Sequence, residues 1–201
     1  MSIDLIKGYF KEKIAIAQSL ELENIMLLTN KIINTYENDG SIYLMANGGP
    51  VGAVDGFATD LKTHPFVSDD KSKTTDIRRI KVHNLCESVG TISGIANDIG
   101  TNMIFVEQLK NYLRSPDLNK NDLLISFSGS GNSKNILNAI EYMKTFDVFT
   151  ACISGRGGGK AKELCDLTIL IPGSSNFPGQ TGKNDNNFHI EDFQVSITHI
   201  I

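Results

Sequence analysis

The sequence lacks the features that would place it in a membrane or on nucleic acid. None of its apolar stretches approaches the ~20 residues needed to cross a bilayer, and its start lacks the charged segment, apolar run and small-residue cleavage site of a signal peptide. Lys and Arg total 19 against 23 Asp and Glu, which gives a net charge of -4. We therefore expect no membrane partner, no nucleic-acid partner and a cytoplasmic location.

Cysteine is also scarce. Cys86, Cys152 and Cys165 are an odd number without Cys-x-x-Cys spacing, and two of them lie in or beside apolar runs. This usage is typical of reduced, buried thiols with a structural role. The remaining composition, 40% hydrophobic and 21% charged over 201 residues, is that of an ordinary globular protein.

The hydrophobic pattern changes after the first 38 residues. Apolar residues at helical spacing over residues 3–37 predict one long or two shorter amphipathic helices. Short apolar runs of strand length then alternate with helical patterns, at 42–46, 123–127, 148–153 and 168–171. Strands alternating with helices predict an α/β fold in which helices cover both faces of a parallel sheet. We expect a single domain over residues 1–201, with a helical segment at 1–38 and an α/β core at 39–201.

Glycine-rich segments follow the apolar runs, and they are the expected ligand sites, because open parallel sheets bind ligands at the carboxyl ends of their strands. Ser128-Gly129-Ser130-Gly131-Asn132-Ser133 combines glycines, hydroxyls and a helix start, a combination that favours binding of a phosphate group. The same residues would also suit an ordinary turn and helix cap without a ligand. Neither a P-loop nor a dinucleotide fingerprint is present, so we expect no nucleotide cofactor. A loop rich in Gly and Asn, residues 173–187, has the length of functional loops.

Five blocks of the sequence occur in an order that matches a known family. They are Ala46-Asn47-Gly48-Gly49, Asn97-Asp98-Ile99-Gly100, residues 127–133, residues 154–160 and the closing stretch 190–201 with His199. In this order they resemble the phosphoheptose isomerases of the sugar isomerase (SIS) domain superfamily. The resemblance implies a three-layer α-β-α sandwich with a five-stranded parallel sheet, and a homotetramer whose sites are built between subunits.

The resemblance also implies an activity. It is the conversion of sedoheptulose 7-phosphate to D-glycero-D-manno-heptose 7-phosphate through an enediol, which supplies heptose for lipopolysaccharide or capsule. The family's proton-transfer pair falls on Asp60 and His199. The implied substrate contacts are Asn47, Gly48, Gly49, Asn97, Asp98, Ser128, Gly129, Ser130, Ser133 and Glu191, of which the three serines match the phosphate binders.

Several positions depart from the family pattern. Asp60 stands in place of Glu, Pro50 in place of Ser, Gly56 in place of His, His64 in place of Arg and Glu191 in place of Gln. A carboxylate that is one methylene shorter shifts its oxygens by about 1 Å, enough to affect catalysis. The same residues therefore leave two alternatives open: a phosphosugar-binding or regulatory module without catalysis, and an isomerase of another sugar phosphate.

A zinc ion is a further expectation. Family members that bind zinc use the catalytic pair together with the His and Gln that Gly56 and Glu191 replace here. Asp60 and His64 are four residues apart on one helical face and could join Glu191 and His199, because carboxylates and imidazoles are suitable zinc ligands.

Overall fold

The structure is a computed structural model that describes residues 2–113, 119–173, 175–180 and 187–201. The helices are α1 (Ile3–Gln18), α2 (Leu22–Glu37), α3 (Val51–Thr63), α4 (Val89–Asp98), α5 (Ile104–Tyr112), α6 (Lys134–Lys144), α7 (Ala161–Leu164) and α8 (Asn187–Ile200). The strands are β1 (Ser41–Ala46), β2 (Lys81–Asn84), β3 (Leu123–Ser128), β4 (Phe149–Ser154) and β5 (Leu167–Leu170). Residues 174 and 181–186 of the loop expected to be functional lie outside the described residues.

The five strands form one parallel sheet in the order β2-β1-β3-β4-β5. The chain moves from β1 to one side to form β2, and then crosses to the other side of β1 to form the remaining strands. The point where the order reverses therefore lies between β1 and β3, and in sheets of this order that crevice is the usual ligand site. The predicted five-stranded parallel sheet is confirmed.

Helices cover both faces of the sheet, as the near-continuous apolar strands predict. One core cluster joins α1, α2, α3 and α8 to the sheet, with Leu28, Phe57 and Ile197 among its fully buried side chains. A second cluster packs α5, α6 and α7 against the other face around Phe105, Ile140 and other buried residues. The result is the three-layer sandwich that the resemblance implies.

The N-terminal segment forms two helices, separated at residues 19–21. Ser2 caps α1, because its hydroxyl accepts a hydrogen bond from the Leu5 amide. Large apolar side chains on both helices stay exposed in the single chain, among them Phe10 at 58% and Met26 at 60%. No helix in the described ranges is long and apolar enough to cross a membrane. The single-domain boundaries stay a prediction.

Candidate active site

The segment Ser128–Ser133, here called the serine loop, leaves β3 beside the switch point and leads into α6. The Ser128 hydroxyl accepts a hydrogen bond from the Gly131 amide at 3.0 Å, and the Ser130 hydroxyl accepts one from the Asn132 amide at 3.2 Å. Accepting these bonds fixes both oxygens and leaves both hydroxyl hydrogens able to donate. The loop therefore keeps its shape through its own hydrogen bonds and can still donate to an anion.

Ser133 differs from the other two serines, because it is the residue before the first turn of α6 and its side chain makes no capping hydrogen bond. The first backbone amides of a helix have no partner four residues earlier, and they carry the positive end of the helix dipole. Their position next to three serine hydroxyls suits a phosphate group. Ser128, Gly129, Ser130 and Ser133 lie in this one segment, and their assignment as substrate contacts stays a prediction.

A second glycine-rich loop, which follows β4, is hydrogen-bonded to the serine loop. The Lys160 amide donates to the Asn132 side chain at 3.1 Å, and the Ala161 amide donates to the Gly131 carbonyl at 3.0 Å. Gly131 has φ +65°, and a Cβ at this position would collide with the backbone carbonyl of Gly158. Only glycine fits such a contact in the left-handed region. The close approach of the two loops makes the serine loop a rigid element.

The start of α8 lies across the ends of β1, β3 and β4. A Cβ on Gly49 would collide with the Glu191 carboxylate, and a Cβ on Gly155 would collide with Ile190. The Gln194 amide donates to the carbonyl of Ile153 near the end of β4 at 3.0 Å. The glycines after these strands therefore admit the first turns of α8 to the crevice, and they place the Glu191 carboxyl beside the backbone of Gly49.

Glu191 has an altered acidity in this position. Partial burial, together with the nearby charge of Asp192, raises the pKa of the Glu191 carboxyl above its ordinary value. Its carboxyl oxygens can accept hydrogen bonds from sugar hydroxyls. Glu191 is thus the acidic group that α8 brings to the strand ends.

A contact between His189 and Glu12 connects the start of α8 to α1. The His189 ring is fully buried, and its Nε2 lies 2.8 Å from Oε2 of Glu12. Glu12 also accepts hydrogen bonds from the Ser175 hydroxyl and, at 3.0 Å, from the Asn176 amide. Burial alone would raise the pKa of Glu12, but these hydrogen bonds and the contact with His189 lower it overall. His189 therefore lies inside the junction between α1 and α8.

Asn47 and Asn135 face each other across the crevice between β1 and β3. The Asn47 amide donates to Oδ1 of Asn135 at 2.8 Å, and the Asn135 amide donates back to Oδ1 of Asn47 at 2.9 Å. Asn47 follows β1 directly, and Asn135 lies in the first turn of α6. The pair therefore connects the end of β1 to the helix that follows the serine loop.

Asp60 and His199 meet at the far ends of α3 and α8. Oδ2 of Asp60 lies 3.8 Å from Nε2 of His199, and Oδ1 of Asp60 lies 3.5 Å from Nδ1 of His64. The three side chains line a cleft of about 410 Å³ whose other walls include Phe57 and Pro65. Both imidazoles are more than half exposed, so this group is far less enclosed than the serine loop.

The two groups of predicted site residues are separated within one chain. Both α3 and α8 begin at the strand ends, whereas Asp60 and His199 lie near the helix C-termini. The rise of an α-helix puts His199 about 12 Å beyond Glu191, and Asp60 about 14 Å beyond the start of α3. No single side chain spans that distance. One chain therefore holds the serine loop and the carboxylate–imidazole group in two separate places.

Comparison with known proteins identifies the family. The SIS domain family model matches residues 94–182. A phosphoheptose isomerase of Helicobacter pylori strain P12 is 31% identical over 201 residues, which covers 98% of this chain and 92% of the relative. The chain belongs to the phosphoheptose isomerase family. A second family member, from Aliarcobacter butzleri, is 29% identical and covers 86% of this chain and 85% of its own.

Solved structures agree on the fold of this family member. A phosphoheptose isomerase from Francisella tularensis has a TM-score of 0.77 at 22% identity, with 100% of this chain and 95% of that chain covered. The enzyme from Neisseria gonorrhoeae also has a TM-score of 0.77, at 20% identity, with 97% and 93% covered. At these identities the likeness concerns the sandwich itself.

Two of the residues that the family resemblance singles out lie elsewhere. Asn97 and Asp98 end α4, are exposed, and hydrogen-bond to each other at 2.7 Å. Within the described ranges no hydrogen bond joins either of them to the serine loop or to α8. Their assignment as substrate contacts stays a prediction, and one chain alone does not bring them to the crevice.

The predicted zinc ligands fit a metal poorly in a single chain. Asp60, His64 and His199 approach one another, but in the part of the chain that the structure describes no three acidic, histidine or cysteine side chains are placed to hold a metal ion. The carboxyl of Glu191 lies instead against Gly49 at the other end of α8. Zinc therefore stays a prediction of the sequence.

Sequence reasoning missed two contributors to this site, Asn135 and Asn132. Asn132 belongs to the serine-rich motif but is not among the predicted substrate contacts, and Asn135 lies just after that motif. The available signal was their position, because polar side chains in the first turn of a helix that follows a buried strand face the ligand crevice.

Proposed function

We propose that this phosphoheptose isomerase family member interconverts sedoheptulose 7-phosphate and D-glycero-D-manno-heptose 7-phosphate through an enediol. The observation that carries the proposal is the serine loop, which presents three hydroxyls and the start of α6 beside the sheet's switch point. The names of the family members supply the substrate class. The enzyme would act in the cytoplasm, and its product would supply heptose for lipopolysaccharide or capsule.

The serine loop would hold the substrate phosphate. Ser128 and Ser130 keep hydroxyl hydrogens to donate, and the Ser133 hydroxyl is not used as a helix cap. Hydrogen bonds to a charged phosphate contribute about 1.5–3 kcal/mol each, so the three hydroxyls together can anchor the sugar. The Glu191 carboxyl and the backbone at Gly48 and Gly49 would then face the carbon chain beside the phosphate.

Asp60 and His199 would transfer the protons. An aldose–ketose isomerisation removes a proton from one carbon and returns it to the neighbouring carbon, while a second proton moves between the two oxygens. A carboxylate suits the carbon-bound proton, and an imidazole, whose two ring nitrogens can accept and donate a proton, suits the oxygens. The 3.8 Å separation of Oδ2 of Asp60 and Nε2 of His199 supports this pairing.

A site shared between subunits reconciles these two roles. The proton-transfer pair lies about 12 Å along α8 from the crevice of its own chain. Exposed apolar side chains on α1 and α2 leave surface for association with further copies. We therefore propose that, in a homotetramer, Asp60 and His199 of one subunit complete a site together with the serine loop of a neighbouring subunit. Asn97 and Asp98 are expected to contribute across the same interface.

The test is turnover in deuterated water. Purified protein is incubated with sedoheptulose 7-phosphate, with and without added zinc, and followed by NMR. We expect the aldose product to appear with deuterium on the carbon that receives the proton, because an enediol intermediate exchanges with solvent.

Absence of both product and exchange, in a protein that binds the sugar phosphate in a titration, would contradict the enzymatic assignment. It would favour the phosphosugar-binding module without catalysis. Exchange with a different phosphorylated ketose, and none with the heptulose, would keep the isomerase and change its substrate. His199→Ala serves as the matched control, because it removes the imidazole and leaves the serine loop untouched.

A further inference from the structure

The Asn47–Asn135 pair stands at the position where the fold directs a ligand. The crevice between β1 and β3 is the switch point of the sheet, and the two amides bridge it. Asn47 is exposed and Asn135 is half-buried, so solvent reaches the pair. The two side-chain amides hydrogen-bond to each other and stay in contact with water at the crevice. They can therefore offer their remaining hydrogen-bonding groups to a polar ligand.

The hydrogen bonds determine how each amide is oriented. The backbone amide of Ile136 donates to Oδ1 of Asn135 at 3.0 Å, which identifies that atom as the oxygen and aims the nitrogen at Asn47. Asn47 must then present its own oxygen to that nitrogen and its own nitrogen to Oδ1 of Asn135. The start of α6 thus orients Asn135, and Asn135 in turn orients Asn47.

The remaining hydrogen-bonding capacity of the pair follows from a count of its donors and acceptors. Oδ1 of Asn135 already accepts two hydrogen bonds, whereas Oδ1 of Asn47 accepts one and keeps a lone pair. Each side-chain nitrogen has donated one hydrogen and keeps a second. Two N–H donors and one acceptor are therefore left at the crevice, a set that matches neighbouring hydroxyls of a sugar chain.

We propose that Asn135 is a positioning residue that orients Asn47 to bind the hydroxyls of the substrate's carbon chain next to the phosphate. This inference rests on the proposed function and adds a specificity element to it. The serine loop recognises the phosphate that all sugar phosphates share, and the amide pair recognises the polyol attached to it.

The experiment compares two ligands and a double-mutant cycle. Sedoheptulose 7-phosphate and inorganic phosphate are titrated into Asn135→Ala, Asn47→Ala and the double variant, all in the His199→Ala background so that no ligand is converted. We expect each single variant to bind the sugar phosphate about tenfold more weakly and inorganic phosphate within about twofold of the parent. If Asn135 acts through Asn47, the double variant will be about as weak as Asn47→Ala alone.

The matched control is Asn138→Ala, one turn further along α6. Its side chain donates to the Asn102 carbonyl at 3.1 Å, outside the crevice, and both affinities should be unchanged. Additive effects, unchanged sugar-phosphate affinity, or equal weakening of both ligands would overturn the inference, since equal weakening indicates a structural brace. If the protein with His199 intact binds phosphate but converts no sugar phosphate, the proposed function falls, and the affinity ratio still tests the amide pair.

Discussion

The two ends of α8 differ in how firmly the chain holds them. At its start, Glu191 packs against Gly49 after β1, Ile190 packs against Gly155 after β4, and the buried ring of His189 contacts Glu12. At its end, the side chain of His199 is 62% exposed, and its Nε2 lies 3.8 Å from Oδ2 of Asp60. One helix thus joins a rigid half-site to a loosely held one.

This difference bears on which part of the proposed site a single chain can hold in place. The proposed phosphate site needs fixed backbone amides and hydroxyls, and hydrogen bonds within the chain hold the serine loop in one shape. Proton transfer needs groups held within hydrogen-bonding reach of the substrate, and an exposed imidazole at a helix end lacks that support. The comparison therefore predicts that a neighbouring subunit makes the second half functional.

The largest expected effect comes from separating the two halves onto different chains. Alone, His199→Ala should lower turnover by roughly 10²–10⁴-fold, and Ser133→Ala should lower kcat/KM by about 10–100-fold. When the two variants are co-expressed and purified as mixed oligomers, activity should rise well above either variant. A site built from two chains gives some mixed sites with both residues intact.

The control for this complementation is a chain that carries both substitutions, mixed with His199→Ala. None of its sites can hold an intact pair, so activity should stay at the background level. If mixed oligomers of the two single variants also stay at background, each site lies within one chain, and the contrast between the two ends of α8 has no bearing on assembly.

The serine loop and the long-range contacts of α8 mark what the sequence could and could not predict. The strands, the loop after β3 and the helix that follows were predictable, because each depends on residues close together in the chain. The contact of Glu191 with Gly49 was not, since it joins residues far apart in sequence and depends on how α8 crosses the sheet. For the same reason, the motif holding Asn97 and Asp98 could be recognised but not placed.

Alanine substitutions in the serine loop and in α3 should have opposite effects on the free energy of unfolding. Gly131→Ala should lower the free energy of unfolding by more than about 3 kcal/mol, because the new Cβ meets the Gly158 carbonyl and the backbone is left-handed. Gly56→Ala, in the middle of α3 near the proton-transfer pair, should raise it by about 0.5–1 kcal/mol, because nothing lies within 4 Å and the helix favours alanine. Urea denaturation measures both.

Gly157→Ala, in the loop after β4, separates the two causes expected for Gly131→Ala, which are the Cβ collision and the left-handed backbone. Gly157 has φ +81° with open space around its Cβ position, so only the backbone strain applies, about 1–2 kcal/mol. If Gly131→Ala costs no more than Gly157→Ala, the contact between the two loops is not tight, and the serine loop is less rigid than its hydrogen bonds indicate.

The smallest expected effect on stability comes from Glu12, which contacts the start of α8. The contacts with Ser175, Asn176 and His189 leave the pKa of Glu12 below its ordinary value of 4.5 in the folded protein. The unfolded chain therefore binds a proton first as the pH falls, and the stability that ionised Glu12 contributes is present above pH 4.5 and is lost below it. Glu12→Gln should be less stable at pH 7 by about 1 kcal/mol, and the difference from the parent should shrink between pH 4.5 and the folded pKa.

Thermal unfolding from pH 7 to pH 3 measures this, with Glu37→Gln at the exposed end of α2 as the control that should follow the parent at every pH. A gap between parent and Glu12→Gln that stays constant with pH would mean that the charge of Glu12 contributes nothing to the junction. The start of α8 would then be held by packing on the strand-end glycines alone. The start of α8 would then be more firmly held than its C-terminal end because of packing, and the charge of Glu12 would play no part.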